Sequence, residues 1–172
     1  MGQAAVRTAV QAALQGASLP LVGTVYAARA YTVEEDYEVN AASQYVSSVN
    51  GSSAVIVVNL VGPDKRRRIA DTGRGAYFDM NVHQVALEVF FASSAGDPVA
   101  AQLDYDTVVD GIVEFIRDSP TMGAPSSVWS AGEYDFGVVH TSTTPFQGAD
   151  GVTVYITGLI RFEAWEQLNG TA

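Results

Sequence analysis

A long strand, a short turn and a long helix are predicted in the stretch from Met80 to Asp118, around which the rest of the chain is arranged. The first part alternates apolar and polar residues, which is the period of a strand with one buried face. Asp97 is a suitable helix cap, and Pro98 suits the first helical position, where no amide hydrogen is needed. Apolar residues then recur at helical spacing, at Val99, Leu103, Val108, Val109, Ile112, Phe115 and Ile116.

The alternation in the strand separates its two faces. One face is predicted to carry Val85, Leu87, Val89 and Phe91, and the other carries Gln84, Ala86 and Glu88. A strand with one apolar face must bury that face against another element, so this strand is expected to belong to the core.

Other segments of the chain are also periodic. Residues 3–17 predict an Ala-rich amphipathic helix, because Val6, Val10 and Leu14 recur every four residues. The segment Ala54–Val61 is apolar on both faces, so it lies either at the centre of a sheet or with one face against another subunit.

Several strands are expected around these elements. The turn residues at 62–64 predict a hairpin from Ala54–Val61 to Lys65–Asp71. Residues 128–139 predict a strand that is broken by two glycines. Residues 152–165 predict a final strand, one face of which carries Val152, Val154, Ile156, Ile160 and Phe162.

The helical and extended segments are segregated along the chain rather than alternating. This order predicts an α+β fold, with a mainly antiparallel or mixed sheet flanked by the N-terminal helix and the long central helix. A length of 172 residues is that of one domain, and we expect a single domain over residues 1–172.

Composition excludes some classes of function. The net charge of -10 argues against binding to a phosphate backbone, which depends on Lys and Arg. The chain has no Cys, which removes disulfides, thiolate metal sites and Cys nucleophiles. Residues 1–20 are not a convincing signal peptide, and no apolar run approaches about 18 residues. We therefore expect a soluble intracellular protein that does not enter a membrane.

Residues 31–53 form a long polar insertion without periodicity. It contains an acidic cluster at Glu34, Glu35 and Asp36. Long irregular segments are often functional or mobile, and a plain solvated insertion is an equally good interpretation. The acidic cluster is a candidate for a lumen or partner loop.

The polar residues that are able to carry chemistry do not form a recognisable motif. His83 and His140 lack the spacing of metal ligands, and we expect structural or surface roles for both. Asp104, Asp106 and Asp110 near the helix start have a weaker interpretation as a cation site. We expect neither metal nor cofactor. A solvated or partner-facing stripe of Asp106, Asp110 and Glu114 is the stronger interpretation.

Basic residues are concentrated in one short segment. Five of the nine Lys and Arg residues are Lys65, Arg66, Arg67, Arg68 and Arg74. Such a segment suits contact with acidic partners, or protection of a sheet edge against aggregation. We hypothesise that an identical subunit supplies the acidic partner through Asp106, Asp110 and Glu114.

The order of these elements resembles the tail terminator, or tail completion, family of long-tailed bacteriophages. The resemblance is carried by the N-terminal helix followed by VGTVY, by AVIVVNL with its basic continuation, by HQVALEVFF, by YDTVVDGIVEFIR, and by SAGEYDFG before a strand that ends in RFEAWE. These motifs are structural patterns rather than catalytic signatures. The polar insertion at 31–53 departs most from the family pattern.

The resemblance implies an α+β protein that forms a hexameric ring at the head-proximal end of the tail of a virion, after assembly in the host cytoplasm. Such a ring caps the tail tube, stops its polymerisation and offers a surface to the head-completion or connector protein. It implies a chain that is not an enzyme, with partners that are further copies of itself, the tube protein and the connector. DNA would pass through the lumen without specific binding.

Two alternatives remain open at the level of sequence. A head-completion or head-to-tail adaptor ring is similar in size and symmetry. A small cytoplasmic enzyme would use His83 with Asp104 or Asp106, and it requires these side chains to meet in one pocket.

Overall fold

The computed structural model describes residues 3–28, 51–61, 65–70, 77–122, 129–131 and 139–168. These residues form two helices and an eight-stranded mixed sheet, so the chain has the predicted α+β fold. The helices are α1 (Gln3–Gly16) and α2 (Pro98–Asp118). The strands are β1 (Val22–Tyr26), β2 (Ser52–Leu60), β3 (Lys65–Ala70), β4 (Tyr77–Ser93), β5 (Trp129–Ala131), β6 (Val139–Ser142), β7 (Phe146–Gln147) and β8 (Val154–Leu168).

The sheet is built around one long antiparallel pair of strands. β4 and β8 are in register from Asp79 with Leu168 to Ser93 with Val154. β2 and β3 pair with the other side of β4, whereas β5, β6 and β7 pair with the outer side of β8. β1 is parallel to β2, and the other pairings among the described strands are antiparallel.

The predicted hairpin between Ala54–Val61 and Lys65–Asp71 is wrong. β2 and β3 run in the same direction along the same side of β4, because Leu60 is paired with Val85 and Lys65 with Val82. The hairpin instead joins β3 to β4, where Ala70 is paired with Tyr77. The β2–β3 connection and the β3–β4 connection both contain glycines that favour turns. Turn residues alone therefore did not identify the connection at which the chain reverses.

The predicted boundaries of two other segments also change. Ser52 and Ser53, at the end of the expected polar insertion, are the first residues of β2. Residues 29–50, which include most of that insertion, lie outside the described part of the chain. The described ends of the expected 128–139 strand belong to β5 and β6, which pair with different parts of β8.

The main core lies between the two helices and one face of the sheet. α1 contributes Val6, Val10 and Leu14, and these side chains are at most 1% exposed. The odd-numbered face of β4 contributes Val85, Leu87, Val89 and Phe91 to the same cluster, as predicted. The prediction of a single buried face is wrong, because Ala86, Phe90 and Ala92 on the other face are also buried. β8 contributes Val154, Ile156, Ile160 and Phe162 as predicted, whereas Val152 precedes the strand and is 52% exposed.

A second cluster lies on the opposite face of the sheet. It contains Val55, Val57, Phe90, Ala92 and Tyr155. β2 is therefore buried on both faces within a single chain, between β1 and β4. Its two-sided apolar pattern comes from a place inside the sheet, so it does not require a second subunit.

Two glutamine side chains of α1 form hydrogen bonds with the backbone of the edge strand β1. Gln15 accepts a hydrogen bond from the Val25 amide at 2.8 Å and donates to the Gly23 carbonyl at 3.2 Å. Gln11 donates to the Val25 carbonyl at 3.1 Å. Exposed sheet edges are sites of unwanted strand pairing, and these glutamines satisfy the groups that another strand would use.

We expect Gln15→Met to lower the free energy of unfolding by about 1–2 kcal/mol, because two hydrogen bonds to β1 are lost while helix propensity is kept. The exposed edge should also increase self-association, measured by light scattering alongside urea denaturation. Gln3→Met, at the first residue of α1, is the matched control and should behave as wild type. Equal stability of the two variants would show that the glutamine contacts contribute nothing.

Candidate assembly surfaces

The outer face of α2 carries two large apolar side chains. Val99 and Leu103 are among the apolar residues that recur at helical spacing, but they do not belong to the buried side of the helix, because they are 69% and 63% exposed. The buried side consists of Ala101, Tyr105, Val108, Val109, Ile112 and Ile116. Tyr105 was missed because a phenol was not counted among the apolar positions, although its ring is fully buried.

The acidic stripe of α2 lies on the same solvent-facing side of the helix. Asp106, Asp110 and Glu114 are exposed. Gln102 donates to Asp106 Oδ1 at 2.8 Å, which joins the start of the stripe to the turn that carries Leu103. Asp97 caps the helix as predicted, since its Oδ1 accepts a hydrogen bond from the Val99 amide at 2.9 Å. A contact of the stripe with another subunit stays a prediction.

Asp104 has a different environment from the rest of the acidic residues of α2. The Ser52 hydroxyl donates to Asp104 Oδ2 at 2.5 Å and also contacts the hydroxyl of Ser93 at 3.0 Å. These bonds fasten the helix to the ends of β2 and β4. Among the described residues, no group of three or more His, Asp and Glu side chains is arranged to hold a metal ion.

The dyad that the enzyme alternative requires does not form between the described residues His83, Asp104 and Asp106. His83 is fully buried and is paired in register with Ala164. Asp104 is bonded at the Ser93 end of β4, ten residues away along the strand, which is about 33 Å in extended backbone. Neither Asp104 nor the neighbouring Asp106 is therefore placed to orient His83.

A partly buried contact between Tyr105 and His140 was not found from the sequence. The Tyr105 hydroxyl lies 3.0 Å from His140 Nε2 on β6. It reaches this position over Gly158 of β8, where a Cβ atom would collide with the phenol oxygen. A glycine inside a strongly alternating strand was the available signal, because such glycines often mark a close approach of another group.

The basic segment and the start of α2 lie near opposite ends of strand β4. Lys65, Arg66, Arg67 and Arg68 lie on β3, in register with Val82, Asn81, Met80 and Asp79 of β4. From Met80 to Ser93, an extended strand spans about 43 Å. Arg74 and the acidic cluster Glu34, Glu35 and Asp36 lie outside the described residues. The described chain thus has its basic segment and the start of α2 near opposite ends of β4.

Comparisons with known proteins give a distant likeness to a virion structure. No family model matches the chain, and no curated protein matches it in sequence. Among solved structures, the chain is similar to one chain of the virion of a native gene transfer agent (GTA) particle, with 13% sequence identity and a TM-score of 0.36. That similarity covers 94% of this chain and 91% of the other. Separately, neither α1 nor α2 is long and apolar enough to cross a membrane.

We expect Gly158→Ala to destabilise the fold by about 3 kcal/mol, because the added methyl group collides with the Tyr105 hydroxyl in a packed core. Combining it with Tyr105→Phe should recover part of the loss, since the nearest ring carbon is then 3.0 Å from the new Cβ. Gly16→Ala is the control, as nothing lies within 4 Å of its Cβ position. Urea denaturation of the three variants measures these differences, and a neutral Gly158→Ala would contradict the contact.

The stability of the fold should fall at alkaline pH. Burial raises the pKa of the Tyr105 phenol well above its usual range, and the Asp106 carboxylate raises that pKa further. The unfolded chain ionises its tyrosines near pH 10, so this contribution is complete below about pH 10 and is lost as the pH rises further. Tyr105→Phe should weaken the fall in unfolding free energy between about pH 9 and 11, measured by urea denaturation. Equal slopes for the two proteins would contradict this assignment.

Proposed function

We propose that the chain is a ring-forming structural protein of a phage-type virion, which caps the tail tube, stops its polymerisation and offers the head a surface to join. The observation that carries the proposal is the separation of charge between β3 and α2. A surface pair of this kind associates head to tail, because each surface fits the other rather than itself. Head-to-tail contacts form a closed ring when the rotation between neighbours divides a full turn.

The resemblance to tail terminator proteins supports the same proposal. Its motifs occupy defined elements of the fold: AVIVVNL lies in β2, HQVALEVFF in β4, YDTVVDGIVEFIR in α2 and RFEAWE in β8. These four elements build the centre of the sheet and the helix layer. These four motifs therefore lie in elements that form the core of the domain, whereas most of SAGEYDFG lies outside the described residues.

The charge of the chain fits a ring through which DNA moves. Each copy carries a net charge of -10, and a ring of six copies would repel the phosphate backbone from its lumen. Repulsion of this kind lets DNA pass without binding to bases or phosphates. The protein partners on this proposal are the tail tube protein on one face of the ring and the head-completion or connector protein on the other.

The purified protein is expected to form a hexamer near six times its mass of 18.2 kDa, visible as a ring by electron microscopy and in native mass spectrometry. Removing the gene from the phage that encodes it should give overlong tails, because nothing then stops growth of the tube. Normal tails together with heads that leak DNA would instead identify a head adaptor. Tails of normal length together with heads that retain their DNA would overturn the proposal.

A further inference from the structure

The outer face of α2 combines exposed apolar surface with negative charge. Val99 and Leu103 lie one helical turn apart and are the two most exposed large apolar side chains in the described part of the chain. Side chains spaced by four residues are neighbours on a helix, so they form one apolar patch. A single exposed aliphatic residue is ordinary, whereas a paired and largely exposed patch is typical of a contact surface.

Carboxylates border this patch on the side toward the end of the helix. Asp106 lies three residues after Leu103, and Asp110 follows one turn later, with both exposed. The next basic residue along α2 is Arg117, in the last turn. A partner for this surface therefore needs an apolar part beside a cluster of positive charge.

The chain contains one described segment with this chemistry. Strand β3 has the sequence KRRRIA, in which four basic residues are followed by Ile69 and Ala70. No other described segment of the chain contains adjacent basic residues. A second copy of the same chain thus provides the complementary charge and an apolar end.

The same molecule cannot make this contact with itself. β3 is paired with β4 between Tyr77 and Val82, whereas Leu103 is in the second turn of α2, close to the Ser93 end of β4. At about 3.3 Å per residue, the eleven residues from Val82 to Ser93 span about 36 Å. Contact of β3 with Val99 and Leu103 must therefore be between copies.

We propose that the outer face of α2, formed by Val99, Leu103, Asp106 and Asp110, receives strand β3 of a second copy. The contact is head to tail, since the two surfaces differ, and repetition around an axis closes a ring. The inference rests on the proposed function, for which it names the surface between neighbouring subunits. The aliphatic pair supplies the apolar centre of the contact, and the carboxylates fix the position of the basic strand.

The absence of Cys from the sequence allows a direct test by cross-linking. A Leu103→Cys chain is mixed with an Arg67→Cys chain under oxidising conditions, and the expected product is a covalent dimer of one chain of each kind. Each variant alone should give little dimer, because the contact is not between identical surfaces. Thr8→Cys, on an exposed position of α1, replaces Leu103→Cys in the control and should not cross-link to Arg67→Cys.

Charge reversal tests the same contact without covalent chemistry. Asp106→Arg with Asp110→Arg in one chain, or Lys65→Glu with Arg67→Glu in another, should each weaken assembly at least about tenfold, because alternate residues of a strand share one face. A mixture of the two reversed chains should form mixed oligomers, because each contact between unlike chains again joins opposite charges. Asp118→Arg, on the last residue of α2 and about 18 Å from Asp106, is the matched control. Native mass spectrometry reads the oligomers.

The possible outcomes distinguish this contact from the proposed function. If the wild-type protein forms rings while the reversed chains also assemble normally and no mixed cross-link appears, the inference is overturned and the ring function stands. If the wild-type protein stays monomeric and no cross-link forms, the inference is again overturned, and the function is then decided by the lengths of the tails. Specific cross-linking of the Leu103→Cys chain to the Arg67→Cys chain, with loss of assembly on charge reversal, supports the inference.

Discussion

The fold depends on the long antiparallel pairing of β4 with β8. This pair is in register over fifteen residues, and every other described strand except β1 is hydrogen-bonded to one member of it. Its two faces hold the two apolar clusters, so the same backbone ladder organises both sides of the sheet. Strands of this length also extend beyond what one helix covers, since the 21 residues of α2 span about 32 Å.

The sequence predicted those parts of the fold in which periodicity reports burial directly. The alternation of β4 and β8 and the four-residue repeat of α1 all had one apolar face, and each face is buried. The pairing of strands far apart in the chain was harder to predict from sequence. Similar turn residues precede and follow β3, so they did not show whether the chain reverses before β3 or after it. Register with β4 decides between those turns, and register depends on contacts between residues far apart in the chain.

The candidate surfaces were predicted less completely, for a physical reason. Exposure of Asp106, Asp110 and Glu114 follows from a charge stripe on a helix, which sequence shows well. The side on which Val99 and Leu103 lie depends on how the helix is rotated against the sheet, and in the structure Tyr105 faces the sheet and reaches across Gly158 to His140. Helical spacing alone cannot predict that a tyrosine is buried while two aliphatic residues of the same helix are exposed.

The glutamines of α1 have a consequence for the entropy of forming this border of the sheet. Their bonds to β1 join residues only 8 to 14 positions apart, whereas the residues that pair β1 with β2 are 31 or 32 positions apart. Closing a short loop costs less conformational entropy than closing a longer one. The contacts of Gln11 and Gln15 with β1 therefore cost less entropy to form than the pairing of β1 with β2.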